Sequence, residues 1–172
     1  IAIDLGTTTI AIEQIDMSDG SVTDRCGFMN PQIEYGSDVI SRIRTGSTED
    51  GLTKLRSSVV TRISSELAGM GDAPADISRI IISGNTTMNA ILERLLLYNL
   101  GHAPFEIRNP DSITVSGKDF FDDERFCSAE VTCLPNLSAF VGADALCGAV
   151  VCNIDRSDKY QLFADLGTNG EL

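Results

Sequence analysis

The sequence lacks several residue types whose absence narrows the chemistry open to it. It has no tryptophan and a single histidine, His102, and none of its five cysteines is spaced as C-x-x-C. The ligand spacings of zinc and iron–sulfur sites are therefore absent, and no Ser/His or Cys/His catalytic pair can be recognised. The longest apolar run, residues 145–152, is far shorter than the roughly 20 residues of a membrane-spanning helix.

Basic residues are also scarce, and this shortage limits the choice of partners. The chain has 13 Lys and Arg residues against 25 Asp and Glu, a net charge of −12. A surface this acidic repels nucleic acids and anionic membranes, so neither is expected as a partner. The 172 residues, 42% of them apolar, suffice for a globular core. We expect a cytoplasmic protein whose cysteines are small buried apolar side chains.

Hydrophobic periodicity predicts an α/β fold. Three short strands with tight turns come first, and strands then alternate with helices, which predicts a mixed five-stranded sheet with helices on both faces. Residues 99–128 are rich in loop signals and are interpreted as an insertion. The predicted strands are 1–6, 9–17, 22–29, 79–83, 130–134 and 161–166, and the predicted helices start at 38, after the cap Ser37, and cover 52–67, 86–96 and 142–152.

The tetrapeptide Asp-Leu-Gly-Thr occurs twice, at residues 4–7 and 165–168, each time after an apolar strand. Glycine lets the chain turn tightly against a phosphate, turn amides and threonine hydroxyls donate to it, and a strand-end aspartate holds Mg²⁺. The pair therefore predicts a phosphate site, although such aspartates also serve as simple turn caps. The candidates are Asp4 and Asp165 for Mg²⁺ and catalysis, and Gly6, Thr7, Thr8, Thr9, Gly167, Thr168 and Asn169 for phosphate.

Extended to D-L-G-T-T-T and D-L-G-T-N-G-E, the two motifs resemble the phosphate loops of the actin-like ATPase superfamily. Three further stretches narrow the resemblance: N-P-Q-I-E-Y-G-S-D-V-I-S-R-I at 30–43, I-S-G-N-T-T-M at 82–88 and L-P-N-L-S-A-F-V-G-A-D at 134–144. Together they are similar to the ATPase domain of the ferredoxin-linked reductive activators of corrinoid proteins. The resemblance implies an actin-like (ribonuclease H-like) first lobe at 1–160, with 161–172 as the first strand and phosphate loop of a truncated second lobe.

The resemblance also implies a function. Members of the family use ATP and Mg²⁺ to support reduction of a Co(II) corrinoid to Co(I) in a corrinoid methyltransferase or corrinoid iron–sulfur protein. The electron donor would include a [2Fe–2S] cluster in an N-terminal domain outside this chain. The whole protein would then hydrolyse ATP, whereas the fragment alone would be inactive. Its exposed final strand invites pairing with a second copy, so a homodimer is also considered.

Further residues are interpreted from their places at helix starts. Asp144 opens a Gly/Ala-rich helix and is expected either to orient a water as a catalytic base or simply to favour the helix dipole. Gly84 and Asn85 form a helix entrance that suits an anion, and capping explains them equally well. The remaining interpretations are close packing against the second lobe for Gly142 and Gly148, and a solvated helix face for Arg42 and Arg44.

Two other functions fit the same residues. A small-molecule kinase of the superfamily would use Asp144 as its catalytic acid–base residue and transfer phosphate to a soluble acceptor. A non-catalytic nucleotide-binding module would close its lobes on ATP without any acceptor. Activators of hydroxyacyl-CoA dehydratases rank lower, because they carry cluster cysteines within the ATPase fold and the cysteine spacings here do not provide them.

Overall fold

The structure, a computed structural model, describes residues 1–71, 73–167 and 170–171 of the chain. Within those residues a six-stranded mixed sheet packs with helices, and a separate two-stranded sheet follows. The strands are β1 (Ala2–Leu5), β2 (Thr9–Ile15), β3 (Val22–Met29), β4 (Arg79–Gly84), β5 (Ile113–Ser116), β6 (Glu130–Cys133), β7 (Asp165–Leu166) and β8 (Gly170–Glu171). The α-helices are α1 (Val39–Thr45), α2 (Glu49–Gly69), α3 (Thr86–Leu92), α4 (Gly117–Phe121) and α5 (Ala143–Val151).

The large sheet has the strand order β3-β2-β1-β4-β6-β5. The meander from β1 to β3 is antiparallel, whereas β4 runs parallel to β1 and β6 runs parallel to β4. The connections between the parallel strands carry helices, as such crossovers usually do. The predicted mixed α/β sheet is therefore confirmed. The carboxyl ends of β1, β4 and β6 meet at one edge of the sheet, which is where α/β proteins place ligand sites.

The predicted number of five strands is wrong, because β5 adds a sixth strand to the sheet in the described part of the chain. It lies inside residues 99–128, whose composition predicts an irregular insertion. Ile113 pairs with Cys133 in an antiparallel ladder between β5 and β6. The strand has only four residues between Pro110 and Gly117. So short a segment becomes a strand through pairing with its neighbour and not through its own pattern.

Helix caps explain where the first two helices begin. Asp38 caps α1, and Asp38 and Ser41 exchange hydrogen bonds in a capping box, so the predicted cap Ser37 is wrong by one residue. Thr48 caps α2, whose length of 21 residues exceeds the prediction at both ends. The predicted core-facing stripe of α2 is confirmed, because its five apolar members are all buried: Leu52, Leu55, Val59, Ile63 and Leu67.

The hydrophobic core fills one face of the sheet. Helix α2 covers this face, since Arg62 stacks on the ring of Phe28, a β3 residue that packs against the core, at 4.6 Å. Helix α5 contacts the opposite face, where Ser83 Oγ lies 3.8 Å from Cys147 Sγ. Ser83 alternates with the buried Ile82 in β4, so the two side chains point to opposite faces. The core side chains of the sheet are Ile3, Leu5, Ile10, Ile12, Ile80, Ile82, Val131 and Cys133.

Two smaller predictions have mixed outcomes. The strand predicted at 161–166 is reduced to β7, which pairs with β8 in the two-stranded sheet. Cys133 is buried as predicted, but Cys127 and Cys152 are exposed, so the interpretation of all five cysteines as buried is wrong. The single histidine, His102, is exposed and stacks on Tyr98. Among the described residues, no helix is long and apolar enough to cross a membrane.

Two neighbouring isoleucines of β4 test which face carries the core. Ile82→Ala should lower the free energy of unfolding by about 2–5 kcal/mol, because Ile82 is fully buried. Ile81→Ala should cost distinctly less, because Ile81 lies on the other face and is only partly buried. Equilibrium unfolding in urea, followed by circular dichroism, measures both losses. Equal losses would contradict the assignment of the two faces.

Candidate functional site

The candidate site is built around the loop of residues 6–8, which joins β1 to β2 at the carboxyl end of β1. Three carbonyl oxygens of this loop accept hydrogen bonds from the protein interior. Asn30 donates from its side chain to the Gly6 oxygen (2.9 Å) and from its backbone amide to the Thr8 oxygen (2.8 Å). Arg42 donates from Nη2 to the Thr7 oxygen (2.7 Å). Two residues of the 30–43 stretch therefore fix the loop.

Fixing the carbonyl groups also fixes the direction of the loop amides. The C=O and N–H groups of a trans peptide point in opposite directions. The amides of Thr7, Thr8 and Thr9 are therefore directed away from Asn30 and Arg42. Successive amides that point outward from a turn are the arrangement that binds anions in proteins.

The residues of the loop differ in their surroundings. Gly6 has no room for a side chain, since a Cβ atom there would lie 2.6 Å from the Thr9 carbonyl oxygen. Thr7 is 5% exposed, and its hydroxyl oxygen accepts a hydrogen bond from the Asn85 side chain (3.0 Å). Thr8 is half-buried, and Thr9 is the exposed first residue of β2. The tight turn thus requires glycine at position 6, and the Thr7 hydroxyl connects the loop to α3.

Asn85 joins this loop to the start of α3. Its Oδ1 accepts from the Met88 amide (3.1 Å) as the helix cap, and its Nδ2 donates to Thr7. Gly84, the last residue of β4, lies against the end of β1, where a Cβ atom would meet the Leu5 carbonyl oxygen at 2.9 Å. Both residues therefore have a structural role at this edge of the sheet. The capping interpretation of Asn85 is confirmed, and its interpretation as an anion ligand stays a prediction.

Three aspartates lie near one another at the same edge. Asp4 has an exposed side chain, yet the surrounding protein removes part of its hydration, and this raises its pKa above the usual range. The charges of Asp144 and Asp165 raise the pKa of Asp4 further. Burial is also the main reason why the pKa of Asp144 is raised, with a smaller effect from Asp165. The acid of the second Asp-Leu-Gly-Thr motif is thus close enough to Asp4 and Asp144 for its charge to affect both pKa values.

The acidic residues fit a hydrated Mg²⁺ better than a metal ion held by protein ligands alone. In the described ranges, no three His, Cys, Asp or Glu side chains are close enough to ligate one ion together. Mg²⁺ usually keeps several waters and takes one or two carboxylates plus substrate phosphates. Asp4 and Asp165 have the donor chemistry for that kind of site.

The stretch 134–144 forms a loop that is attached to α3 by hydrogen bonds. Asn89 donates to the Leu134 carbonyl oxygen (3.1 Å) and to Asn136 Oδ1 (2.8 Å). Thr86 donates from its hydroxyl to the Ser138 carbonyl oxygen (2.6 Å). These bonds hold the loop that leads into α5, and thereby hold Asp144, which stands in the first turn of that helix.

Gly142, the cap of α5, and Gly148, within the helix, pack against different parts of the chain. Gly142 caps the helix and lies against the backbone of α3, because a Cβ atom there would be 2.5 Å from the Thr86 amide nitrogen. Gly148 lies against the ring of Phe163. Gly142 therefore packs against the start of α3 and not, as was predicted, against a second lobe. The neighbour of Gly148 lies in residues 161–172, the segment assigned to the second lobe.

Arg42 is the main correction to the sequence interpretation. The prediction of a solvated face is right for Arg44, which is exposed, and wrong for Arg42, which is fully buried. Position 42 lies three residues after Val39 and next to Ile43, so helical spacing places it on the core side of α1. That spacing was the available signal. Charged side chains are rarely buried without a partner, which is why the pattern favours solvent.

The second Asp-Leu-Gly-Thr motif is only partly described. Asp165 is half-buried and Gly167 is exposed. Thr168 and Asn169 lie outside the described residues. The predicted binding of phosphate by this motif therefore remains a prediction.

Comparison with known proteins places these features in a family. The family described as the RACo middle region matches residues 1–157 of the chain. The corrinoid activation enzyme RamQ of Eubacterium limosum is 33% identical over 177 aligned residues, which cover 100% of this chain and 29% of the enzyme. The solved structure of a reductive activator for corrinoid, iron-sulfur protein superposes with a TM-score of 0.87 at 30% identity, over 98% of this chain and 27% of that one. The chain thus spans less than a third of either relative.

The contact between α5 and α3 can be tested with one added methyl group. Gly142→Ala should lower the free energy of unfolding by about 1–3 kcal/mol, because the new Cβ atom would overlap the backbone at Asn85 and Thr86. Gly69→Ala, at the end of α2 with no atom within 4 Å of the added methyl, is the control and should be neutral or slightly stabilising. Thermal unfolding measures both, and a neutral Gly142→Ala would contradict the packing described.

The mutual effect of the three acids predicts a pKa change. Asp144→Asn should lower the pKa of Asp4, because it removes one of the two charges that disfavour ionisation there. Carbon-detected NMR titration of the carboxyl groups measures the shift, and Asp50→Asn, an exposed residue of α2, is the control. An unchanged pKa of Asp4 would show that the two carboxylates are too far apart to interact.

The same acids predict how stability depends on pH. The folded-state pKa of Asp4 lies above its ordinary value of 3.8, so the folded chain holds the proton to higher pH than the unfolded chain does. The contribution of Asp4 to the free energy of unfolding should therefore fall as pH rises from 3.8 through the raised pKa. Urea unfolding of the wild type and of Asp4→Asn across this range measures it. A contribution that rises with pH would contradict the assignment.

Proposed function

The chain belongs to the RACo middle-region family, and we propose that it forms the first lobe of an actin-like ATPase that supports reductive activation of a corrinoid protein. Two relatives that cover the whole chain or nearly so are a corrinoid activation enzyme and a reductive activator for corrinoid, iron-sulfur protein. The finer parts of the proposal are ATP dependence, Mg²⁺ and reduction of Co(II) to Co(I). They belong to the whole protein, of which this chain is a part.

The observation that carries the nucleotide part is the loop of residues 6–8. Its carbonyl groups are bonded to Asn30 and Arg42, and its amides point the other way. In the proposal these amides would bind phosphate, together with the hydroxyls of Thr8 and Thr9 and with Gly167, Thr168 and Asn169 of the second motif. Such a preformed loop costs little reorganisation when an anion binds.

In the proposal, the three aspartates would have two different roles. Asp4 and Asp165 would hold a hydrated Mg²⁺, which when bound neutralises phosphate charge. Asp144 would orient the attacking water and accept its proton. A raised pKa suits this role, since a carboxylate with greater proton affinity is a better base at neutral pH. Its place in the first turn of α5 is fixed by the attachment of the 134–144 loop to α3.

The cysteines of this chain have no part in the proposed electron path. None of them is spaced as C-x-x-C, and burial raises the pKa of Cys133 to about 12, so its thiol is neutral at neutral pH. In the proposal the electron comes from a [2Fe–2S] domain elsewhere in the whole protein. The acceptor is a corrinoid methyltransferase or a corrinoid iron–sulfur protein in the cytoplasm.

The proposal is tested with the full-length protein under anaerobic conditions. The protein is mixed with a Co(II) corrinoid protein and a reductant, with and without ATP, while Co(I) absorbance and phosphate release are recorded. Co(I) that forms only with ATP, with hydrolysis stimulated by the corrinoid protein, is the expected result. Hydrolysis that no corrinoid protein affects, without any Co(I), would refute the proposal and favour the small-molecule kinase.

Asp144→Asn in the full-length protein should slow ATP hydrolysis by about 10²–10⁴-fold, because it removes the proposed base. Nucleotide affinity should change little, since the phosphate loop is untouched. The matched control is Asp50→Asn, which makes the same replacement of a carboxylate oxygen by an amide nitrogen at an exposed aspartate of α2. Hydrolysis at the wild-type rate in Asp144→Asn would remove this residue from the mechanism and support the helix-dipole interpretation.

A further inference from the structure

The guanidinium of Arg42 is a buried cation whose contacts are all neutral. Nε donates to the Gly36 carbonyl oxygen (2.9 Å) and Nη2 to the Thr7 carbonyl oxygen (2.7 Å). Nη1 donates to Gln32 Oε1 (3.0 Å) and lies 3.3 Å from Met88 Sδ. Among the residues that the structure describes, no carboxylate lies within 4 Å of it, since the ion pairs found there involve other side chains.

An unpaired charge in a protein interior needs an explanation, because removing it from water is costly. Burial lowers the pKa of Arg42 to about 10, which still leaves the group charged at neutral pH. The acid that favours its charge is Asp38, an exposed residue that caps α1. A neutral donor could satisfy the Thr7 oxygen equally well, as Asn30 does for Gly6. The contacts therefore explain why a hydrogen-bond donor is needed at the Thr7 oxygen, but they do not explain why that donor carries a positive charge.

We propose that Arg42 is a positioning residue whose positive charge strengthens anion binding by the loop of residues 6–8. The guanidinium faces the oxygen of the Thr7–Thr8 peptide, and the N–H of that peptide belongs to Thr8 and points away. A cation at the oxygen polarises the peptide and makes its N–H a stronger donor. The charge also attracts a phosphate across a single peptide layer, where water screens it little. The inference rests on the proposed nucleotide site.

If the role of Arg42 is purely structural, neutralising its charge without moving its side chain should leave ATP binding unchanged. If the charge itself matters, ATP binding should weaken. Gln32→Glu neutralises the charge in this way, because it keeps an oxygen acceptor beside Arg42 Nη1 while adding a negative charge. The substitution gives up the hydrogen bond from Gln32 to the Leu55 carbonyl oxygen (3.2 Å), so thermal unfolding must be followed as well. If Arg42 only holds the loop, the new ion pair holds it at least as firmly.

The test measures dissociation constants of the full-length protein for ATP and adenosine by calorimetry. Gln32→Glu and Arg42→Met should weaken ATP binding by roughly tenfold or more, whereas adenosine binding should stay within about twofold, because only the phosphates feel the charge. Arg42→Lys keeps the charge but loses the planar guanidinium with its several N–H donors. Its dissociation constant for ATP should lie between those of Arg42→Met and the wild type. Arg44→Met, which removes an exposed arginine two positions away, is the control and should bind both ligands like the wild type.

The outcomes separate the two proposals. A wild-type protein that does not bind ATP would refute the nucleotide site, and the role of Arg42 would fall with it. If the wild type binds ATP, equal losses for ATP and adenosine would refute the charge effect, and so would unchanged ATP binding in Gln32→Glu. Should Arg42→Met fail to fold, Gln32→Glu and Arg42→Lys decide the matter, since both keep a cation at position 42.

Discussion

The hydrogen bond from Arg42 to the Thr7 carbonyl oxygen is the interaction on which the geometry of the site depends. Its length of 2.7 Å and complete burial hold one peptide of the loop in a single orientation. A buried carbonyl left without a donor costs about 1–3 kcal/mol, so the loop does not rotate away from this contact freely. Asn30 fixes the peptides on either side. A segment more than twenty residues away in sequence therefore determines where the amides of the first motif point.

The same device recurs along the edge of the sheet. Asn85 links α3 to the Thr7 hydroxyl, and Asn89 links α3 to the loop that leads into α5. In each case the amide side chain of an asparagine bonds to polar groups that apolar packing alone would leave unpaired. Gly84 and Gly142 let the backbones come close enough for these bonds. The loops after β1, β4 and β6 are thus one connected unit.

The sequence predicts those parts of the fold that rest on local pattern. The meander, the stripe of α2 and the strand at the triple isoleucine of β4 follow from periodicity, and the structure has all three. Strand β5 depends on a partner distant in sequence, so no local pattern reveals it. The burial of Arg42 has only its helical spacing as a local sign, and the Thr7 oxygen that accepts from it is distant in sequence. The approach of Asp4 to Asp144 and Asp165 is likewise a tertiary result, since 161 residues separate Asp4 from Asp165.

The charges at this edge are arranged in a way that stability alone does not explain. Burial raises the pKa of Asp4 and of Asp144, the charge of Asp165 raises both further, and none of the ion pairs among the described residues includes these three aspartates. Behind the loop lies a cation without a carboxylate partner. Uncompensated charges of both signs lower stability and are typical of functional sites. In the proposed function an anion would bind the loop amides in front of Arg42 and a cation would bind the aspartates, so a magnesium-bound phosphate chain would match both charges where either ion alone would match only one.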